Sequence, residues 1–264
     1  MSMAPRRGGR QKLSDLIVED VKRWIVSEKK QPGDKLPNEK ELIELFGYSK
    51  STVREALKAL EVQGLVYLRT GPAGGAYIQK VTHDHASASL RNFLHFHSLN
   101  GHDIYQLRKI LEPELAVSVV GFLSEKHLER LEENIRFCSE PVTNSEELRA
   151  HREAELAFHS ILAECCPNPV LAFSCRFLNE LLTDLMVYKN ALDSHEIGKA
   201  NVDYHTELVA ALRHQDKDRV RRLMTEHMQD AESHMGKMEA VADTRNLMLP
   251  LTQQLSALTQ NEER

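Results

Sequence analysis

A mainly α protein is expected from three observations. Glycine and proline are sparse, at twelve and nine in 264 residues. Apolar residues recur at helical spacing over nearly the whole chain, and a single stretch near residues 65–78 reads as strand, glycine-rich turn, strand. The class that follows is three helices plus a β-hairpin at the amino end, then an all-α antiparallel helical bundle. The length favours two domains over one. We divide the chain into a flexible arm at 1–12, a first domain at 13–81, a helical domain at 82–241 and a tail at 242–264.

In the arm, Arg6, Arg7 and Arg10 suit either a disordered start or a segment touching phosphate. From Leu13, the residues Leu16, Ile17, Val21, Trp24 and Ile25 trace one helical face until Pro32-Gly33 stops it. Asn38 is placed to cap a short helix from Glu39 to Phe46, and Gly47 to end it in a left-handed turn. Ser49 caps the next helix, which begins at Lys50 and closes by Gly64. Strand Leu65–Arg69, turn Gly71–Gly75 and strand Ala76–Ile78 complete the domain as a winged helix-turn-helix. Beyond Val81 the pattern is helical throughout, with stretches near 86–99, 103–122, 124–138, 145–165, 168–192, 195–214 and 216–241.

Charge divides along the same line. Residues 1–80 carry 15 Lys and Arg against 10 Asp and Glu, while the rest carry 19 against 29. A basic module suits phosphate, because cationic side chains release condensed counterions, and the acidic remainder would be repelled from that surface. The four cysteines, Cys138, Cys165, Cys166 and Cys175, lack paired metal or redox spacing and read as reduced thiols. With no apolar run of about 18 residues, no membrane partner is expected and a cytoplasmic location is.

A helix enters the major groove with a short polar and cationic end exposed and an apolar stripe behind it. In the third helix, Val53, Ala56, Leu57 and Leu60 form the stripe, and Lys50, Ser51, Thr52 and Arg54 cluster at the leading end. Arg54 is the first choice for a guanine contact. Ser51, Thr52, the helix's amides and Lys40 suit phosphate. Gly71 and Gly74 would let the wing approach double-stranded DNA closely, or would simply satisfy the turn. Any one of these cations alone is an ordinary surface charge; their ordered combination is not.

Two segments, Pro32-Gly33-Asp34-Lys35-Leu36-Pro37-Asn38-Glu39-Lys40-Glu41-Leu42 and Ser49-Lys50-Ser51-Thr52-Val53-Arg54-Glu55-Ala56-Leu57, resemble the GntR signature, continued by Glu61 to Val66. The resemblance spans residues 13–80 and implies a DNA-binding transcriptional regulator. Lys40 and Lys50 stand where the family usually has arginine; lysine loses the two-bond geometry for a base and keeps its use on phosphate.

Of thirteen histidines, His83, His85, His95, His97 and His102 show no ligand spacing and read as surface or core-edge residues. Glu155 and His159 lie one turn apart on one helical face. A short turn near Gln215-Asp216 makes the last two long helices a hairpin, which sets His205 level with His227. One carboxylate and three imidazoles suit a divalent transition metal, zinc first, with nickel, iron or manganese as alternatives. The competing reading is that each histidine packs within the bundle and Glu155 is a solvated acid.

The second domain resembles the FCD effector domain of the FadR branch of GntR regulators. The resemblance rests on Phe158-His159, on His205 before Leu208-Val209-Ala210-Ala211-Leu212, and on His227 in Met224-Thr225-Glu226-His227-Met228. It implies a metal held by an acid and three histidines; Glu155 stands where aspartate is usual. It also implies a small carboxylate effector held by an arginine, for which Arg108 is the match, although Arg108 is equally placed to pair with Glu112. The expected protein is therefore a homodimeric, effector-responsive regulator, a repressor by preference, on an inverted-repeat operator. Its rivals are a metal-dependent hydrolase using the same cluster, which lacks an accompanying general base, and a sensor of the metal itself.

Overall fold

The computed structural model describes residues 12–71, 74–97, 99–188 and 195–241. The amino-terminal arginines, Pro72-Ala73 of the wing, the end of the predicted 168–192 helix and the tail lie outside them. The described residues form two compact units, divided between Arg91 and Asn92.

In the first unit, α1 (Leu13–Ser27), α2 (Glu39–Phe46) and α3 (Lys50–Val62) precede the antiparallel strands β1 (Val66–Arg69) and β2 (Gly75–Ile78), paired from Val66↔Ile78 to Arg69↔Gly75. Asn38 caps α2 in a reciprocal capping box with Glu41, and Gly47 ends it at φ 70°. Lys35 bridges to Tyr77, and the Leu36 amide donates to the Ala76 carbonyl at 2.8 Å, so the segment before α2 lies along the hairpin. Ile17 and Val21 of α1, Leu42 of α2, Val53, Ala56 and Leu60 of α3, and Val66 and Ile78 of the hairpin share one core. That core fixes α3 by its apolar stripe and leaves the opposite face exposed.

Helix α4 (His83–Leu94) starts three residues before the predicted stretch and stops five short of its end. Its start is set by the Thr82 hydroxyl, which accepts from the His85 amide. The His85 ring contacts the Val62 carbonyl at 2.9 Å, and a Cβ on Gly64 would lie 2.9 Å from that ring. Glycine at 64 is therefore required both by φ 71° and by space.

The second unit contains α5 (Gly101–Ser118), α6 (Glu125–Ser139), α7 (Ser145–Glu164), α8 (Pro169–Tyr188), α9 (His195–Arg213) and α10 (Lys217–Val241). Helix α5 packs on α8 and α10, α7 on α6 and α8, and α9 on α6 and α10. The α9–α10 turn is the short one expected, with Gln215 at positive φ. One apolar cluster is built around Leu115, Phe158, Leu208 and Met224, a second around Ile104, Leu156, Leu182 and Met235. Buried polar residues Arg108, Glu112, Glu155, His159, His205 and His227 also lie within this unit.

Candidate DNA-reading face and metal centre

On the first unit, Ser49 caps α3: its hydroxyl accepts from the Thr52 amide at 3.2 Å and lies 2.9 and 2.7 Å from the Ser51 and Thr52 hydroxyls. Lys40, Lys50 and Arg54 are exposed, each more than half open to solvent. Lys40 pairs loosely with Glu44 at 3.8 Å. Lys50 and Arg54 share an acid that sequence reasoning did not single out: Glu39 Oε2 accepts from Arg54 Nε at 2.8 Å, and its Oε1 lies 3.6 Å from Lys50 Nζ. Gly71 and Gly74 form the turn after β1, where the Gly74 amide donates to the Gly71 carbonyl at 2.8 Å.

In the second unit, α7, α9 and α10 each send one histidine to a common point. His205 Nε2 lies 3.2 Å from His227 Nε2, which lies 3.3 Å from His159 Nε2. All three rings are buried, and Phe158 stacks on His205 with centroids 3.8 Å apart and planes 5° apart, fixing its orientation. Burial and the neighbouring imidazoles push His205 and His227 well below the ordinary imidazole value. Burial also lowers His159, against the pull of Glu112. Neutral rings expose nitrogen lone pairs, the form in which imidazole ligates a metal.

Glu112, which the sequence offered only as a possible partner of Arg108, contacts two of the candidate site residues. Its Oε2 faces His159 Nδ1 at 3.0 Å, and its Oε1 accepts from Arg108 Nε and Nη2, each at 3.3 Å. Burial works to raise this carboxyl, but His159 and Arg108 outweigh it and hold it below the usual range. An ionised acceptor at Nδ1 puts the His159 proton there and turns the Nε2 lone pair toward the other two imidazoles. The one available sequence signal was the four-residue spacing of Arg108 and Glu112; the link to His159 spans 47 positions.

Arg108, Glu155 and the three histidines line one pocket of about 40 Å³, room for an ion and a few waters. Asn201 and His234 line it as well, and neither carried a sequence pattern. Glu155 is buried, and its Oε2 accepts from Arg152 Nη1 at 2.9 Å. Its carboxylate is not part of the set whose candidate ligand atoms lie within 4.8 Å of one another, which is His159, His205 and His227.

Residues 13–77 match the family described as bacterial regulatory proteins, gntR family, and residues 103–230 match the FCD domain. The chain belongs to the GntR family. As a GntR regulator of the FadR type it is a DNA-binding transcription regulator with an effector-binding FCD domain. The HTH-type transcriptional repressor NanR of Enterobacter sp. (strain 638) is 26% identical over 242 residues, covering 86% of either protein. NanR of Escherichia coli (strain K12) is 28% identical over 227 residues, covering 83% of this chain and 82% of that protein. The solved structure of Streptococcus agalactiae GntR shares the fold at TM-score 0.59 and 22% identity, over 84% of this chain and 99% of that one. Within this GntR regulator the three convergent histidines, Arg108 and Glu112 all fall inside the FCD match. Among the described residues, no helix is long and apolar enough to cross a membrane.

Proposed function

We propose that this GntR regulator is a homodimeric repressor that grips an inverted-repeat operator and loosens when a small carboxylate occupies a metal-containing pocket in its FCD domain. The observation that carries this reading is the convergence of three buried Nε2 atoms at 3.2 and 3.3 Å. Nitrogens bound to one zinc at about 2.1 Å lie about 3.0 to 3.4 Å apart for right-angle to tetrahedral arrangements. The donor set therefore fits a divalent transition metal, zinc first and nickel, iron or manganese after it. His159, His205 and His227 would hold the ion, with Glu155, one turn before His159 and lining the same pocket, as the candidate fourth ligand. Such an ion supplies a Lewis-acid site that takes an oxygen of an organic acid.

The chain's own residues do the rest. Phe158 and Glu112 lock two of the rings, which lowers the ordering cost of ligation. Arg108 places a buried guanidinium beside the cavity, where a ligand carboxylate would compete with Glu112 for it. Repression is supported by the NanR relatives, which are transcriptional repressors. Dimerisation follows from operator logic: two reading heads sum their contacts on two half-sites, and a ligand need only bias their placement. On DNA, Arg54 would read guanine, while Lys40, Lys50, Ser51 and Thr52 hold phosphate and Gly71 and Gly74 bring the wing close.

Elemental analysis of the purified protein, followed by thermal-shift screening of small carboxylates on wild type and His159→Ala, tests the site. Stoichiometric metal and a ligand response lost in the variant support the reading. Metal-free protein with an unaltered response sinks it. Operator binding that follows metal concentration with no organic acid present would instead make the ion the signal.

A further inference from the structure

Glu39 is out of place on a surface that approaches phosphate, since a carboxylate there is repelled by every duplex. It nevertheless occupies the first position of α2 with both oxygens turned to the leading cations of α3. The contact with Arg54 uses Nε, at 2.8 Å. A guanidinium has a side edge that includes Nε and an end formed by its two Nη groups. With Nε engaged, the end remains for the two parallel bonds that guanine O6 and N7 accept. The Arg54 hydrogen bond also holds the Glu39 carboxyl below its usual range, so it is ionised at neutral pH.

We propose that Glu39 is a positioning residue for sequence readout: it orients Arg54 end-on toward a guanine and, by its charge, weakens contact with duplexes that lack that guanine. The inference rests on Arg54 as the base-reading side chain. An unanchored arginine 64% exposed would settle on phosphates of any sequence, gaining affinity without discrimination. The acid reverses that balance, because its repulsion is offset only where Arg54 finds its two acceptors.

The experiment uses the full chain. Wild type, Glu39→Gln, Glu39→Asp, Arg54→Ala and Glu44→Gln each select from a pool of randomised duplexes at about 0.15 M salt, and the bound fraction is sequenced. Affinity for the enriched duplex and for a scrambled one is then measured across salt concentrations, with thermal melting as a check on folding. Arg54→Ala should abolish a guanine preference of roughly tenfold or more at one motif position. Glu39→Gln should relax that same position to a few-fold while tightening the scrambled duplex several-fold. Glu39→Asp, one methylene short but still charged, should relax the position without tightening the scrambled duplex. Glu44→Gln, whose acid pairs with Lys40 alone among these cations, should leave the base preference intact. If Arg54→Ala changes no position, the Arg54 reading fails and this inference with it. If Arg54→Ala relaxes a position that both Glu39 variants preserve, the role of Glu39 alone is overturned. It is equally overturned if Glu39→Gln melts normally yet binds both duplexes more weakly.

Discussion

Glu112→Gln isolates the charge at the junction of the pocket, since it keeps side-chain shape and removes the carboxylate. In the native protein, Arg108 and Glu112 are 1% and 0% exposed, and both contacts from the guanidinium fall on one carboxylate oxygen. Removing the anion leaves a cation out of water without that partner, a change that costs about 3 to 5 kcal/mol in comparable buried pairs. For a unit of this size, each kcal/mol moves the midpoint by about 2 to 4 °C, so the metal-free variant should melt about 6 to 20 °C lower. The same change withdraws the anionic acceptor from His159 Nδ1, 3.0 Å away. Losing such an outer partner weakens metal binding by about 10 to 100-fold. Calorimetry in chelator gives the first quantity, and competition titration of zinc against a chromophoric chelator gives the second. A variant that melts with wild type and binds zinc equally would refute the reasoning, because it would show that Glu112 neither neutralises Arg108 nor orients His159.

His205→Ala removes one of the three nitrogens together with the ring stacked on Phe158. Free zinc at about 100 times its dissociation constant should stabilise wild type by about 2.7 kcal/mol and the variant by far less, read as zinc-dependent melting shifts. In chelator, stability should also depend on pH. His205 and His227 are held well below 6.5, so the unfolded chain binds protons that the folded one refuses. Stability of the helical unit should therefore rise with pH through the interval below 6.5 and level off above it; denaturant titrations showing the opposite slope would contradict buried neutral rings. Lys40→Ala should weaken binding to all duplexes alike and lower the salt slope by about one, whereas a change confined to one base position would make Lys40 a reader.

Both the winged module and the alignment of His205 with His227 were legible in the sequence, because local rules govern them; that His159 of α7 meets the pair is a matter of helix packing across 68 positions. Asn38 and Ser49 cap from fixed offsets, Gly47 takes the left-handed end, and the apolar stripe of α3 states which face is buried. His205 and His227 could be aligned because a short turn imposes antiparallel register on the two helices that carry them. The beginning of α4 was not legible: it depends on the Thr82 cap and on His85 reaching back to Val62, a contact across 23 residues.

For the candidate DNA-reading face, the sequence by itself placed Lys50, Ser51, Thr52 and Arg54 on the exposed end of a capped helix, since helical period and capping chemistry are properties of adjacent residues. Only the tertiary structure decided the partners that charges take across helices: Arg54 of α3 with Glu39 of α2, and Glu112 of α5 with His159 of α7. A long charged side chain reaches several neighbours, and which one it takes depends on how helices far apart in sequence pack and on which partner loses its water with it. Periodicity tells a side chain which way to face; what it meets there is set by the rest of the fold.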